Sequence, residues 1–253
     1  MMQIIKYPRT QHLEGSCLQV DDDRIRVQLK ALPEGLLVWE EKLDGANCGI
    51  SFSENGELLL QSRGHILSGG ARERQFDILK SWAQVMSAEL RAILGTRYIM
   101  YGEWLYAKHS VFYDELPHYF FEFDIYDKDS GVFLSTFRRH EMLSGSPVIS
   151  VPVVKTGRVK NVSEIEKAIG PSLYISDKHE EVLRQEAVKL GLEPEQVMRE
   201  TDMTGLSEGF YFKLEDDEKV LGRYKFVRSE FLQTILESGS HWNERPIIPN
   251  RLA

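Results

Sequence analysis

The chain has 253 residues, 42% hydrophobic and 28% charged, with a net charge of −8, an ordinary globular composition long enough to bury one large core or two modest ones. No apolar run approaches a membrane span, and the start of the chain reaches Lys6, Pro8 and Arg9 without a stretch of signal-peptide length, so the expected location is the cytoplasm, without membrane association. The acidic balance argues against a surface coated in positive charge for non-specific nucleic-acid binding, while a local basic groove is still compatible with it.

Taken in order, residues 1–35 are a loop-rich arm, with Arg9 and His12 as surface or nucleotide-facing charges and an acidic triplet Asp21-Asp22-Asp23. Leu36-Leu37-Val38-Trp39 runs apolar into Glu41-Lys42-Leu43-Asp44-Gly45-Ala46-Asn47, and Cys48–Phe52 alternates out of it, so Lys42 stands where two strands meet. Gly45 is read as a residue that permits a turn and a close backbone approach. Asn55-Gly56 predicts a hairpin that returns Arg63 toward Lys42. A helix is expected over about 71–94, stopped by Gly95, with its apolar stripe serving the core. Strands follow over Tyr98–Tyr106, ending near Glu103, and over Tyr119–Asp127, carrying Phe123 and Asp124.

A short helix is expected over Ser135–Leu143, and an edge strand over Val148–Val154, interrupted by Pro152. Residues 162–200 are helical in pattern, broken at Gly170-Pro171 and at Gly191, and show no chemistry. Ser207-Glu208-Gly209-Phe210-Tyr211-Phe212-Lys213 and Val220–Arg228, with Arg223 and Lys225, are the last strands, followed by a terminal helix over Glu230–Glu237 and a tail. Residues 220–253 carry five Lys or Arg against three Glu, so a polyanion is expected to meet this end of the chain together with Lys42. Cys17 and Cys48 lack metal-ligand spacing, and no disulfide is expected.

A single lysine is most simply a solvated charge, but Lys-x-Asp-Gly-x-Asn fixes four residue types in six. To act as a nucleophile Lys42 must shed a proton, and at neutral pH the free amine costs about 4–5 kcal/mol for a pKa near 10.4. Neighbouring cations and burial both lower that cost, and Arg63, Arg223 and Lys225 are the candidate cations. Glu103, Asp124 and Glu208, read as surface charges one at a time, would pin the ammonium if left bare. Together they suit a hydrated Mg²⁺ or Mn²⁺, which takes oxygen ligands and bridges to phosphate.

On these motifs the chain resembles the covalent nucleotidyltransferase superfamily of ATP-dependent ligases and messenger-RNA capping enzymes, and within it the RNA ligase 2-like branch, from about Lys6 to Arg228. The resemblance implies an α+β fold, a nucleotidyltransferase (ATP-grasp-like ligase adenylylation) domain with antiparallel sheets around an ATP cleft and flanking helices. It implies that Lys42 becomes covalently bonded to AMP, that the backbone of Glu41 and Leu43 holds adenine, and that Asn47 contacts the nucleotide. Arg63 would lie near ribose and phosphate, Glu103 on the ribose, and Phe123 on the adenine face, where an aromatic ring stacks on any purine. Glu208 would be linked to the metal, to which Asp124 and Glu103 are added on their carboxylate chemistry, with Lys213 closing the Glu208 motif and Lys225 on the α-phosphate.

The sequence departs from the family at Arg223, where a lysine is expected, and arginine is not its equivalent. A second departure is length: residues 1–228 are read as the adenylylation domain and 229–253 as a short helix and tail without an oligonucleotide-binding domain. The expected reaction is three-step: Lys42 attacks ATP, AMP passes to an RNA 5′-phosphate, and a 3′-hydroxyl displaces AMP. Arg228, Trp242 and Arg245, or a separate partner protein for RNA docking or end healing, are expected to help hold the RNA. A DNA ligase, a capping-type guanylyltransferase and a non-catalytic nucleotide- or RNA-binding module are the competing readings.

Overall fold

The structure, a computed structural model, describes residues 4–18, 25–237 and 245–253. Its strands are β1 (Gln11–Leu13), β2 (Arg26–Val27), β3 (Leu36–Glu41), β4 (Ala46–Phe52), β5 (Leu58–Ser62), β6 (Tyr98–Trp104), β7 (Phe120–Asp127), β8 (Val132–Phe133), β9 (Ile149–Ser150), β10 (Val153–Thr156), β11 (Gly209–Glu215) and β12 (Val220–Val227). The helices are α1 (Asp77–Val85), α2 (Ser87–Leu94), α3 (Thr136–Leu143), α4 (Val162–Ala168), α5 (His179–Lys189), α6 (Pro194–Arg199) and α7 (Ser229–Glu237). None of them is long and apolar enough to cross a membrane.

The strands form two sheets, one ordered β10-β3-β11-β12-β1-β2 and the other β5-β4-β6-β7-β8, with β9 added beside β7. Pairing is antiparallel except at β1–β12, β1–β2 and β7–β9, which are parallel. The α+β architecture with helices against the sheets is the one expected. Alternation in β4 buries Cys48, Ile50 and Phe52 with Leu79, Leu90 and Leu94 of α1 and α2, while the first sheet packs Trp39, Phe212 and Phe226 with Ile165 of α4. A third cluster joins Leu43, Leu105, Tyr113, Phe121 and Val227 where the chain passes from β3 in one sheet to β4 in the other. Lys42 lies in that crossing.

Two expected elements divide. The helix read over 71–94 is a 3₁₀ segment, Ala71–Phe76, followed by α1 and α2, which are separated at Met86 with φ −87° and ψ 10°. Both halves keep their apolar faces on one core, so hydrophobic spacing alone does not reveal the break. The strand read over Val148–Val154 is β9 and β10, which belong to different sheets. Pro152 has no N–H for a ladder bond, and the chain changes sheets there, with the Pro152 carbonyl accepting the Glu41 N–H at 3.1 Å.

Residues 245–253 run along the loop after β6, and Asn250 fastens them to it. Its Oδ1 accepts the Tyr113 N–H at 2.9 Å, its Nδ2 donates to Leu105 O at 2.7 Å, and its own N–H donates to Tyr106 O at 2.8 Å. The acidic triplet Asp21-Asp22-Asp23 lies outside the described residues.

Candidate active site

A cleft of about 930 Å³ opens between the sheets, and Glu41, Lys42, Leu43, Asn47, Arg63, Glu103, Phe123 and Lys225 all line it, a volume in the range of small-molecule sites. Lys42 is held from two sides. Its N–H donates to Gly209 O at 3.0 Å, and its Nζ donates to Glu208 Oε2 at 2.6 Å. Gly209 permits this approach: its φ is +154°, and a Cβ there would stand 1.9 Å from Phe226 O. Of the two uses expected of Gly45, the close approach holds and the special turn does not. It is not among the positive-φ glycines, and its role is space, since a Cβ would meet Trp104 O and Leu105 Cδ2, each at 2.6 Å.

Asp44 ties the motif to the loop after β6, accepting the Ser110 and Val111 N–H groups at 2.7 and 2.9 Å. Glu103 accepts the Gly45 N–H at 3.1 Å and pairs in register with Asn47 across β4 and β6. Asn47 lines the cleft, and its Oδ1 is buried without a hydrogen-bond partner among the described residues, an acceptor with unused capacity.

The electrostatics run opposite to the expected activation of Lys42 by cations. Burial lowers its pKa, but Glu208 and Glu103 outweigh burial and raise it, keeping the amine protonated. Burial pushes Glu103 up to about 8, with Lys42 pulling it down and Glu208 and Asp44 adding to the rise. Burial likewise raises Glu208 to about 7 against the pull of Lys42. Two carboxylates that resist ionisation beside one ammonium make a site short of positive charge.

Three expected site residues are elsewhere. Asp124, Lys213 and Arg223 do not line the cleft, and neither does Glu208, but whereas Glu208 meets Lys42, these three belong to a buried ion network of which only Glu40 reaches the cleft wall. Lys213 lies 2.8 Å from Glu40 and 3.2 Å from Asp124 and donates to Phe123 O. Arg139 reaches Glu40 at 2.6 Å and Glu122 at 2.7 Å. Arg223 lies 3.5 Å from Asp124, with its guanidinium over the Tyr7 and Phe133 rings. Three carboxylates are thus matched by three cations between the sheets, the arrangement that buried charge requires. Register explains the division: Tyr211 pairs with Lys225 at the cleft, and Lys213 pairs with Arg223 two residues further along the same strands.

Phe123 sits at an irregularity in β7, where Asp124 pairs with Tyr101 and Glu122 with Gly102, so no residue of β6 is opposite it. Such a bulge re-aims a side chain. The carboxylate triad expected for a metal is therefore not assembled, and among the described residues no group of three or more His, Cys, Asp and Glu side chains is arranged to hold one. Glu103 and Glu208 remain beside Lys42, and both act on its charge.

The backbone N–H of Glu41 is already engaged by Pro152 O, and its carboxyl accepts a 2.5 Å bond from Ser172. Ser172 comes from the segment that showed no chemistry in sequence. Tyr211, Lys108, Thr10 and His65 also line the cleft, and of these only Tyr211 carried a signal, two residues before Lys213 in the Glu208 motif. Arg228, expected on RNA, is 4% exposed. It donates to Ser207 O at 2.9 Å, pairs with Asp202, and offers its N–H to Glu208 O at 3.1 Å, so it braces the Glu208 turn. Arg245 does line the cleft, and Trp242 lies outside the described residues.

Comparison with known proteins gives the family and the fold. The RNA ligase family profile matches residues 35–227. Solved structures of similar fold include an archaeal ATP-dependent RNA ligase, 15% identical with TM-score 0.51 over 90% of this chain and 49% of that one. A Naegleria gruberi RNA ligase solved with pyrophosphate is 16% identical with TM-score 0.51, over 92% of this chain and 63% of that one. The chain thus spans about half to two thirds of the length of these ligases. No curated protein matches it in sequence. With a family profile covering most of its length and a matching fold around the Lys42 cleft, the chain belongs to the RNA ligase family.

Proposed function

We propose that the chain is an ATP-dependent RNA ligase that forms a lysyl-AMP on Lys42, transfers the AMP to a 5′-phosphate RNA end and joins that end to a 3′-hydroxyl. The observation that carries the reading is the placement of the Lys42 amine on Glu208 in a cleft that also holds Glu103, Phe123 and Lys225. In the first step the Lys42 ammonium loses a proton to solvent, a bond forms between Nζ and the α-phosphorus, the bond to the pyrophosphate oxygen breaks, and pyrophosphate leaves. Phe123 and Tyr211 offer flat faces to the base, Asn47 and Glu103 offer acceptors to the nucleoside, and Lys225 and Arg63 offer charge to phosphate. Catalysis of this kind is largely positioning and charge stabilisation.

Lys42 is not a nucleophile while Glu208 and Glu103 keep its amine protonated. Glu103 and Glu208, with the free Asn47 oxygen nearby, are hard oxygen donors of the type that bind Mg²⁺ or Mn²⁺, and magnesium needs only one or two carboxylates when water and phosphate complete its shell. A divalent ion held there would supply the countercharge that these carboxylates otherwise take from Lys42. The relatives support the reading: the archaeal protein of similar fold is an ATP-dependent RNA ligase, and the Naegleria gruberi ligase was solved with pyrophosphate.

Incubation with α-labelled ATP or GTP and Mg²⁺ or Mn²⁺, followed by denaturing electrophoresis, tests the first step. The expected result is an acid-labile AMP adduct absent from Lys42→Met; retention of GMP instead would point to capping chemistry, and no Lys42-dependent adduct would overturn the proposal. A panel of nicked RNA duplex, nicked RNA–DNA hybrid and single-stranded 5′-phosphorylated RNA then reads the later steps.

A further inference from the structure

Lys108 and Arg245 meet in the cleft wall at a single atom. Lys108 Nζ and Arg245 Nη1 each donate to Glu200 O, both at 3.1 Å, and Lys108 also donates to His109 O at 3.2 Å. Lys108 is 8% exposed and lines the same cleft as Lys42, as does Arg245. The Glu200 carboxylate stands 3.6 Å from Arg245 Nε, while Lys108 rests on main-chain oxygens. Burial, and then the Arg245 charge, lower the Lys108 pKa to about 8.

The pair is built rather than incidental. The Lys108 N–H donates to Ile248 O at 2.8 Å, Ala107 bridges Pro249, and Asn250 fastens the tail to Leu105, Tyr106 and Tyr113, which brings Arg245 beside Lys108. Asp44, two residues past Lys42, grips the next turn of the same loop through Ser110 and Val111. Two cations are thus held at a fixed place relative to the reactive amine.

We propose that Lys108 and Arg245 form a second phosphate-binding site in the cleft, for a phosphate group other than the one Lys42 attacks. Lys108, an ammonium on two main-chain oxygens, and Arg245, which also pairs with the Glu200 carboxylate, present two convergent charges to a multiply charged oxyanion, which an ammonium and a guanidinium can grip from two sides. The sources with that chemistry are the pyrophosphate end of the nucleotide and the 5′-phosphate of RNA. The inference rests on the ligase reading for these sources, and not for the binding itself.

The test is calorimetric titration of wild type, Lys108→Met and Arg245→Gln with inorganic pyrophosphate plus Mg²⁺, and separately with one RNA oligonucleotide carrying a 5′-phosphate or a 5′-hydroxyl. Each variant is expected to bind one phosphate probe at least tenfold more weakly than wild type, with an unchanged melting temperature for Arg245→Gln showing that it folds. A loss confined to pyrophosphate assigns the site to the nucleotide, and a loss of the preference for 5′-phosphate over 5′-hydroxyl assigns it to the RNA end; both uphold the site. Unchanged affinity for both probes in folded Arg245→Gln and Lys108→Met overturns it. The AMP adduct is measured on the same samples, so failure of the ligase reading appears as no adduct in wild type, independently of the titrations.

Discussion

The rings of Phe123 and Tyr211 lie nearly parallel, 14° apart with centroids at 6.2 Å, and both line the cleft. One comes from each sheet, Phe123 from β7 and Tyr211 from β11. Stacking of a base on an aromatic ring is worth about 1–3 kcal/mol. Phe123→Ala is therefore expected to raise the KM for ATP by roughly 5- to 100-fold in adduct formation, while Phe123→Trp retains most of the affinity. An unchanged KM in the alanine variant would remove Phe123 from the base site.

Glu103 gives a pH signature. Burial raises its pKa to about 8 in the folded protein, so the native state binds its proton more tightly than the unfolded chain does. Stability from this group is therefore lost as pH rises from about 4.3 toward 8. Glu103→Gln keeps an acceptor for the Gly45 N–H and removes the titration. In metal-free buffer its stability relative to wild type is expected to improve by roughly 4 kcal/mol between pH 5 and pH 9 in urea unfolding. Added Mg²⁺ should narrow that gap by stabilising the ionised wild type, and a gap that shrinks with pH in metal-free buffer would contradict the assigned shift.

Gly209 holds both Lys42 and Glu208 in place, the first through its carbonyl and the second as its chain neighbour. A methyl group 1.9 Å from Phe226 O cannot be accommodated without moving the start of β11. Gly209→Ala is expected to cost about 3 kcal/mol or more, and to reduce adduct formation even at temperatures where the variant is folded. A stable variant with normal adduct yield would show that β11 yields locally.

Much of this site could be read in the sequence because its residues fall next to strand ends and turns. Lys42, Glu103 and Lys225 lie on or beside alternating strands whose order along the chain could be followed, and Asn55-Gly56 gave the hairpin, with Gly56 at φ +82°. What could not be read depends on register or on distant partners. Asp124 follows Phe123 directly, yet a bulge leaves one at the cleft and the other in the ion network. Ser172 on Glu41 and Arg245 beside Lys108 join positions far apart in the chain, with no local pattern to announce them.

Arg228 separates a brace from a nucleic-acid contact. Its guanidinium is buried on Asp202 and Ser207 O, beside the Glu208 turn. Removing one partner of such a buried pair costs about 3–5 kcal/mol. Arg228→Ala is expected to lower the melting temperature and the adduct yield together, without changing RNA affinity in the protein that remains folded. A selective loss of RNA binding would restore the surface role.

Asp124 provides the sharpest division between structure and chemistry. It is fully buried, accepts a 2.5 Å bond from the Tyr7 hydroxyl, and faces Lys213 and Arg223. Burial would raise its pKa, but Lys213, Arg223 and Arg139 overcome that and lower it, so its stabilising contribution is present above the ordinary aspartate pKa and lost as pH falls through the depressed one. Asp124→Asn keeps the shape and removes the charge, leaving Lys213 and Arg223 with one counterion fewer. The expected cost is about 3 kcal/mol of stability, with the Mg²⁺ concentration for half-maximal adduct formation unchanged. A metal ligand would behave in the opposite way, because its loss would raise that concentration while relieving carboxylate repulsion, so measuring both quantities on one variant decides between the two roles.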